Sequence, residues 1–313
     1  MTNSPKVAFL VPCLNEEAAI GKVVRRCYEA IPGCLVFVYD NGSTDQTKEI
    51  ATAAGAITRS EDRRGKGNVV RRMFADIDAD IYILIDGDET YNPNDAPKMV
   101  DLILNNNVDL VTGKRVESFS AKEAYRQGHK FGNQLFTYAL RRIFRSESED
   151  VLSGYRVMSR RFVKTFPTTS RGFEIEVEMT AHASLLLVST AEVPTAYAER
   201  PENSQSKLRT YRDGARIALA LFRIFRSYSP SRFFGSLAFV SVASATPLFY
   251  TSLLEQYEGA TTSLIVALML LVLGFLLLSV GVILNAITRL RVEILRLAFL
   301  REEVPTWRSD WRS

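Results

Sequence analysis

Two long, charge-free apolar runs near the C-terminus, Phe233–Leu254 and Leu264–Ile287, restrict the fold of this chain more than any other feature. Each reaches the roughly 20 residues a helix needs to cross a bilayer. In hydrocarbon every backbone N–H and C=O must be satisfied within the segment, so such runs are helices. A short acidic stretch, 255–260, separates them, and Arg-rich segments flank the pair at 207–232 and 289–301. The excess of cations outside the pair places both flanks, and so both termini, on the cytoplasmic side of a cytoplasmic (inner) membrane. Pro247 and the Ser/Thr content of the first run suit helix–helix packing, including between subunits of a homo-oligomer.

The organisation expected is 1–210 as a cytoplasmic α/β domain, 211–232 as a juxtamembrane amphipathic helix, 233–288 as a two-helix hairpin, and 289–313 as a basic tail. Residues 7–115 alternate short apolar runs with helical patterns. Strands are expected at Val7–Leu14, Leu35–Asp40, Ala56–Arg59, Ile81–Asp86 and Asp109–Thr112. Helices are expected at Glu16–Glu29, Thr44–Ala54, Gly67–Ile77 and Pro93–Asn105. This alternation predicts a mostly parallel sheet flanked by helices. A net charge of +4 over 313 residues does not point to nucleic acid. Three cysteines without disulfide or metal spacing suit a reducing compartment.

The chemistry gathers at strand ends, where open α/β sheets bind ligands. Ile81–Ile85 is a buried-strand run that stops in Asp86-Gly87-Asp88. Two carboxylates there are costly unless a cation joins them, and hard divalent ions such as Mg²⁺ or Mn²⁺ take such oxygens. Pro12-Cys13-Leu14-Asn15-Glu16-Glu17 ends the first strand; its carboxylates could hold a ribose or serve a helix N-terminus. Asp40-Asn41-Gly42-Ser43-Thr44-Asp45 ends the second, with Ser43 or Thr44 expected to cap the next helix. Arg63-Arg64-Gly65-Lys66-Gly67-Asn68 could bring cations and backbone N–H groups to a phosphate, without P-loop spacing.

These four motifs, in this order and spacing, resemble family 2 glycosyltransferases with the GT-A nucleotide-sugar fold. The resemblance implies a nucleoside pocket lined by Pro12, Glu16, Asp40 and Asp45, with Lys66 near the donor's base or diphosphate. It implies Asp86 and Asp88 at a metal and diphosphate, Asp88 being the direct ligand. Thr90 stands where dolichyl-phosphate mannose synthases carry the Gln of DADLQ, and is a candidate further ligand.

Three later elements narrow the likeness: Asp150-Val151-Leu152-Ser153-Gly154-Tyr155-Arg156, Gly172-Phe173-Glu174-Ile175-Glu176, and Val193-Pro194 followed by Arg200, Ser204 and Lys207. They resemble elements of polyprenyl-phosphate glycosyltransferases, so that seven motifs over about residues 6–215 agree. That subfamily implies a sugar moved from a nucleotide sugar to polyprenyl phosphate, with a UDP-sugar favoured over a GDP-sugar. By the same likeness Arg115, Arg126 and Arg156 would bind the acceptor phosphate, and Arg200, Ser204 and Lys207 would close over the diphosphate. Asp150 could align the acceptor, act as a base, or pair with Arg156. Lys122–Arg145 reads as a basic amphipathic helix, at a membrane interface or on the sheet. A processive polysaccharide synthase is the alternative within the class, but its Q-x-x-R-W motif is not found. A silent sugar-nucleotide-binding scaffold is the alternative outside it, and the intact Asp86 and Asp88 argue against that.

Overall fold

The computed structural model describes residues 5–117, 148–172, 174–198, 222–223, 225–253 and 259–302. The chain divides into one unit of Met1–Thr210 with Leu295–Ser313, and a second of Tyr211–Ile294.

The first unit is built on strands β1 (Val7–Cys13), β2 (Leu35–Asp40), β3 (Ile57–Ser60), β4 (Ile81–Leu84), β5 (Leu110–Glu117), β6 (Arg156–Ser159) and β7 (Thr190–Tyr197). They form one sheet in the order β3-β2-β1-β4-β6-β5-β7. Only β6 runs against the rest, pairing antiparallel with both β4 and β5. The apolar runs are buried on both faces. Phe9, Val11, Ile81 and Ile83 pack with α1 (Ile20–Ala30), α2 (Thr47–Ala53) and α4 (Ala96–Asn105). Ala8, Leu10, Tyr82 and Leu84 pack with α3 (Lys66–Asp76), α5 (Arg160–Thr165) and α6 (Ile175–Leu186). Pro194 is tolerated because β7 is an edge strand, where a missing N–H costs no ladder bond.

Three helices begin later than the pattern predicts: α1 at Ile20, α2 at Thr47, and α4 at Ala96 behind a 3₁₀ turn at Pro93–Asp95. Ser43 and Thr44 do not cap α2, because both are spent on Asn15: Ser43 Oγ accepts from Asn15 N–H (2.8 Å), and Thr44 N–H donates to Asn15 Oδ1 (2.8 Å). The N–H groups of Glu16 and Glu17 donate to Thr47 Oγ1 (2.8 Å) and Asp45 Oδ2 (3.2 Å), which ties the β1 and β2 loops together ahead of α1.

The second unit holds α7 (Pro230–Ser252) and α8 (Ala260–Arg301) as far as Ile294, both helices being long and apolar enough to cross a membrane. They are antiparallel: Ser241 Oγ donates to Leu270 O (2.8 Å), while a Cβ on Gly281 would lie 3.0 Å from Phe234 Cβ. The expected basic tail is helical as far as Arg301, as the continuation of α8.

Gly65 and Gly67 serve packing. A Cβ on either would lie 2.1 Å from Arg171 O or 2.3 Å from Ser170 O, respectively. The 169–170 backbone is itself held by Glu178, which accepts from Thr169 N–H (3.1 Å) and Ser170 N–H (2.9 Å). Because a main-chain carbonyl cannot swing aside, Gly67→Ala is expected to destabilise the chain by about 1–3 kcal/mol, measured by chemical denaturation.

Candidate active site

The carboxyl ends of β1, β2 and β4 are neighbours, and the acidic residues of three motifs converge there. The buried Cys13 thiol shows it: burial pushes its pKa up, and Glu16, Asp40, Asp86 and Asp88 each push it further. Gly87 permits the close approach, since a Cβ there would lie 2.5 Å from Cys13 Sγ.

Asp86 sits against a buried cation. Lys66 Nζ, at the start of α3, lies 2.5 Å from Asp86 Oδ1 and 2.6 Å from Glu176 Oε1 on α6. Burial opposes the ammonium charge, but the two carboxylates outweigh it and hold Lys66 protonated. Burial pushes Glu176 up, against the pull of Lys66 and with the charge of Asp86. Glu176 Oε2 is buried without a hydrogen-bond partner among the described residues. Gly154 closes over this cluster: a Cβ there would lie 2.5 Å from Asp86 Oδ2 and 3.1 Å from Lys66 Nζ. Lys66, expected beside the donor, therefore reaches the site through Asp86.

Asp88 is 4% exposed, and its Oδ1 accepts from Thr90 N–H (3.2 Å) and Thr90 Oγ1 (2.6 Å). Thr90, a candidate ligand in the sequence, thus orients Asp88 through its N–H and hydroxyl. Asp86 and Asp88 are hard oxygen donors suited to Mg²⁺ or Mn²⁺. No cluster of three His, Cys, Asp or Glu side chains forms a ready cage among the described residues. An ion such as Mg²⁺ takes one or two carboxylates and completes its shell with phosphate oxygens and water.

Asp40 and Asp45 also build the loops that carry them. Asp40 accepts from Gly42 N–H (3.0 Å) and Ser43 N–H (3.1 Å). Asp45 accepts from Thr47 Oγ1 (2.5 Å) and N–H (3.1 Å), contacts that outweigh burial and lower its pKa. Asn41 fastens the Lys66 loop: its Nδ2 donates to Glu61 O (2.8 Å) and its Oδ1 accepts from Gly65 N–H (2.7 Å). Pro12 lies past the last β1–β4 pair, Leu10–Leu84, so its missing N–H leaves that ladder intact.

On the other flank Arg115 grips Asp150 with two parallel bonds, Nε to Oδ2 and Nη2 to Oδ1, both 2.8 Å. Arg115 is thus the partner of Asp150, in place of Arg156. Arg156, expected at the acceptor phosphate, is fully buried and donates to Ser153 O (3.1 Å), Val151 O (2.7 Å) and Thr180 Oγ1 (3.0 Å). It braces the 150–156 loop from inside. Burial lowers its pKa, with Glu176 and Asp150 opposing. Arg126, Arg200, Ser204 and Lys207, and the 122–145 stretch, lie outside the described residues.

Sequence reasoning gave no role to Glu176, Gly154, Asn15 or Glu89. The legible signal for Glu176 was a charge amid the apolar residues of α6, between Ile175 and Val177.

A mostly parallel sheet with acidic residues converging at its strand ends matches the GT-A fold of glycosyltransferases. The chain belongs to glycosyl transferase family 2, whose sequence model matches residues 8–166. It is 34% identical over 300 residues to glycosyltransferase AglJ of Haloferax volcanii, covering 94% of this chain and 97% of that protein. It is 27% identical to a dolichyl-phosphate hexose transferase of the same organism, covering 70% and 93%. Its fold is similar to that of glucosyl-3-phosphoglycerate synthase from Mycobacterium tuberculosis, at a TM-score of 0.57 and 22% identity, covering 70% and 80%. The same synthase in complex with Mn²⁺ and UDP-glucose gives a TM-score of 0.56 at 22% identity, covering 70% and 79%.

Burial alone would raise the Asp150 carboxyl, but the Arg115 hydrogen bonds and charge outweigh it and hold its pKa below the ordinary value. A depressed acid stabilises the fold above its unfolded pKa and stops doing so as pH falls through the folded one. Asp150→Asn is therefore expected to cost about 1.5–3 kcal/mol at neutral pH. In a denaturation series by circular dichroism, that difference should shrink below about pH 4.

Proposed function

We propose that the chain transfers a sugar from a nucleotide sugar, a UDP-sugar in preference to a GDP-sugar, to polyprenyl phosphate at the cytoplasmic face of a membrane. The anomeric carbon is inverted. The 150–156 loop carries this reading: Gly154 abuts Asp86 and Lys66, while Asp150 in the same loop grips Arg115. A diphosphate-binding carboxylate pair and a phosphate-binding arginine would thus border one loop. A relative named dolichyl-phosphate hexose transferase supports the lipid acceptor, and a fold neighbour in complex with UDP-glucose supports the donor. The two apolar helices support a membrane anchor and offer a face for homo-oligomers, while the Arg-rich flanks favour cytoplasmic termini.

The acceptor decides how little general-base chemistry is needed. A phosphate monoester has a second pKa of about 6, so its oxygen is largely ionised at neutral pH. That oxygen attacks the anomeric carbon opposite the diphosphate, the old C–O bond breaks, and its electron pair leaves with the nucleoside diphosphate. A Mg²⁺ or Mn²⁺ ion on Asp86 and Asp88 would offset the charge gathering on the leaving group. Arg115 would hold the acceptor phosphate with the N–H groups not spent on Asp150. Asp150, kept ionised by Arg115, orients that guanidinium. Lys66 keeps Asp86 paired until the donor arrives.

Purified chain given a UDP-sugar, divalent ion and polyprenyl phosphate should release UDP and form lipid-linked sugar. Asp88→Asn should slow this about 10²–10³-fold with the fold intact; transfer at the parental rate would remove Asp88 from the chemistry. Arg115→Ala, made with Asp150→Asn so that no buried carboxylate is left unpaired, should raise the KM for polyprenyl phosphate about ten- to hundredfold over Asp150→Asn alone. The KM for the nucleotide sugar should hold. The reverse pattern in a two-substrate kinetic matrix would move Arg115 to the donor diphosphate.

A further inference from the structure

The turn that carries Asp88 continues through a left-handed residue that is not glycine. Glu89 has φ +64°, a region disfavoured for a residue with a side chain. Glycine would take this conformation at less cost, so the side chain must be kept for something it touches. It reaches α1, where Arg26 Nη1 lies 3.1 Å from Glu89 Oε1 and Lys22 Nζ pairs with the same oxygen. Lys22 and Arg26 are one helical turn apart and face the same way. The Glu89 side chain is 16% exposed, against 50% for Lys22 and 36% for Arg26, so the carboxylate lies inside the clamp.

The clamp is anchored on both sides. Helix α1 buries Ile20, Val23, Val24 and Cys27 on the sheet, and the loop before it is tied to Thr47 and Asp45. Past Glu89, Ala198 N–H donates to Thr90 O (2.9 Å), and Tyr91 bridges Tyr197 of β7. Residues 88–91 are therefore stretched between α1 and the edge strand, and Asp88 takes its orientation from that turn.

We infer that Glu89 is a positioning residue, and that the Lys22–Glu89–Arg26 clamp holds the left-handed turn so that Asp88 meets a divalent ion and its diphosphate correctly. The inference rests on the proposed donor site. It concerns how firmly that site is organised, and Glu89 touches neither ion nor substrate.

Glycine at position 89 separates backbone tolerance from the clamp. Glu89→Gly removes the carboxylate and relieves the φ penalty; Lys22→Ala with Arg26→Ala removes the clamp from the exposed face of α1. The full chain in detergent would be titrated calorimetrically with UDP and with GDP, each with Mn²⁺ and with EDTA, alongside a thermal melt. The parental chain should bind one of them in an Mn²⁺-dependent way. Glu89→Gly should keep or raise the melting temperature yet weaken Mn²⁺-dependent binding about tenfold, leaving binding in EDTA unchanged. The Lys22→Ala/Arg26→Ala variant should weaken Mn²⁺-dependent binding similarly, and the triple variant should be no worse than either, as expected of one unit. Parental Mn²⁺-dependent affinity in both variants would overturn the clamp while leaving the donor site standing. Equal losses with Mn²⁺ and EDTA would overturn it too. No Mn²⁺-dependent binding by the parental chain would overturn the donor site and the clamp together.

Discussion

Everything at the strand ends depends on how several carboxylates are kept close together near a core. Glu16, Asp40, Asp86 and Asp88 all act on the Cys13 thiol, and like charges so placed repel strongly where water is scarce. Each of three is relieved in its own way. Asp40 is satisfied by backbone N–H groups of its own turn, Asp88 by Thr90, and Asp86 by the Lys66 ammonium. Among these contacts between described residues, the last brings a full positive charge, and Glu176 shares it. A nucleoside diphosphate would bring more negative charge to these carboxylates. A divalent ion between carboxylates and diphosphate is the physical remedy, which is why the proposed donor chemistry and the proposed metal stand together.

Much of the first unit was legible. The apolar runs at Val7, Leu35 and Ile81 are strands because they are buried on both faces, a condition that leaves a plain signature. Strands β6 and β7 left no such trace: Arg156-Val157-Met158-Ser159 opens on a charge, and Thr190–Tyr197 is a half-exposed edge with a proline. The start of α2 was misplaced because Ser43 and Thr44, good caps in isolation, are recruited by Asn15 across two loops, a partner that no local pattern reveals. The glycines at 65 and 67 read as a phosphate cradle but accommodate the carbonyls of Ser170 and Arg171, which lie a hundred residues further on.

Site residues divide along the same line. Asp86 and Asp88 were legible as strand-end acids, because the buried run of β4 stops just before them. Arg156, in a polar motif, looks exposed in the sequence, yet it is fully buried against Val151, Ser153 and Thr180, partners that only the fold brings together. Glu89 carried no signal at all: a charged residue after an acidic turn looks solvated, and only its backbone angle together with Lys22 and Arg26 shows otherwise.

The buried Arg156 and Lys66 also explain why Glu176 and Asp150 belong to one system. Glu176 pairs with Lys66 directly and its charge supports Arg156; Asp150 grips Arg115 and supports Arg156 as well. Three cations, Lys66, Arg115 and Arg156, are thus balanced by Asp86, Asp150 and Glu176 around the 150–156 loop. Removing any one member leaves its partner charged and poorly hydrated, which costs far more than the pair contributes when complete. Such a set holds together only as a whole. That makes the loop stiff where it passes from Asp86 to Arg115, and a stiff loop is what an in-line reaction needs if two anionic groups are to be held facing one anomeric carbon.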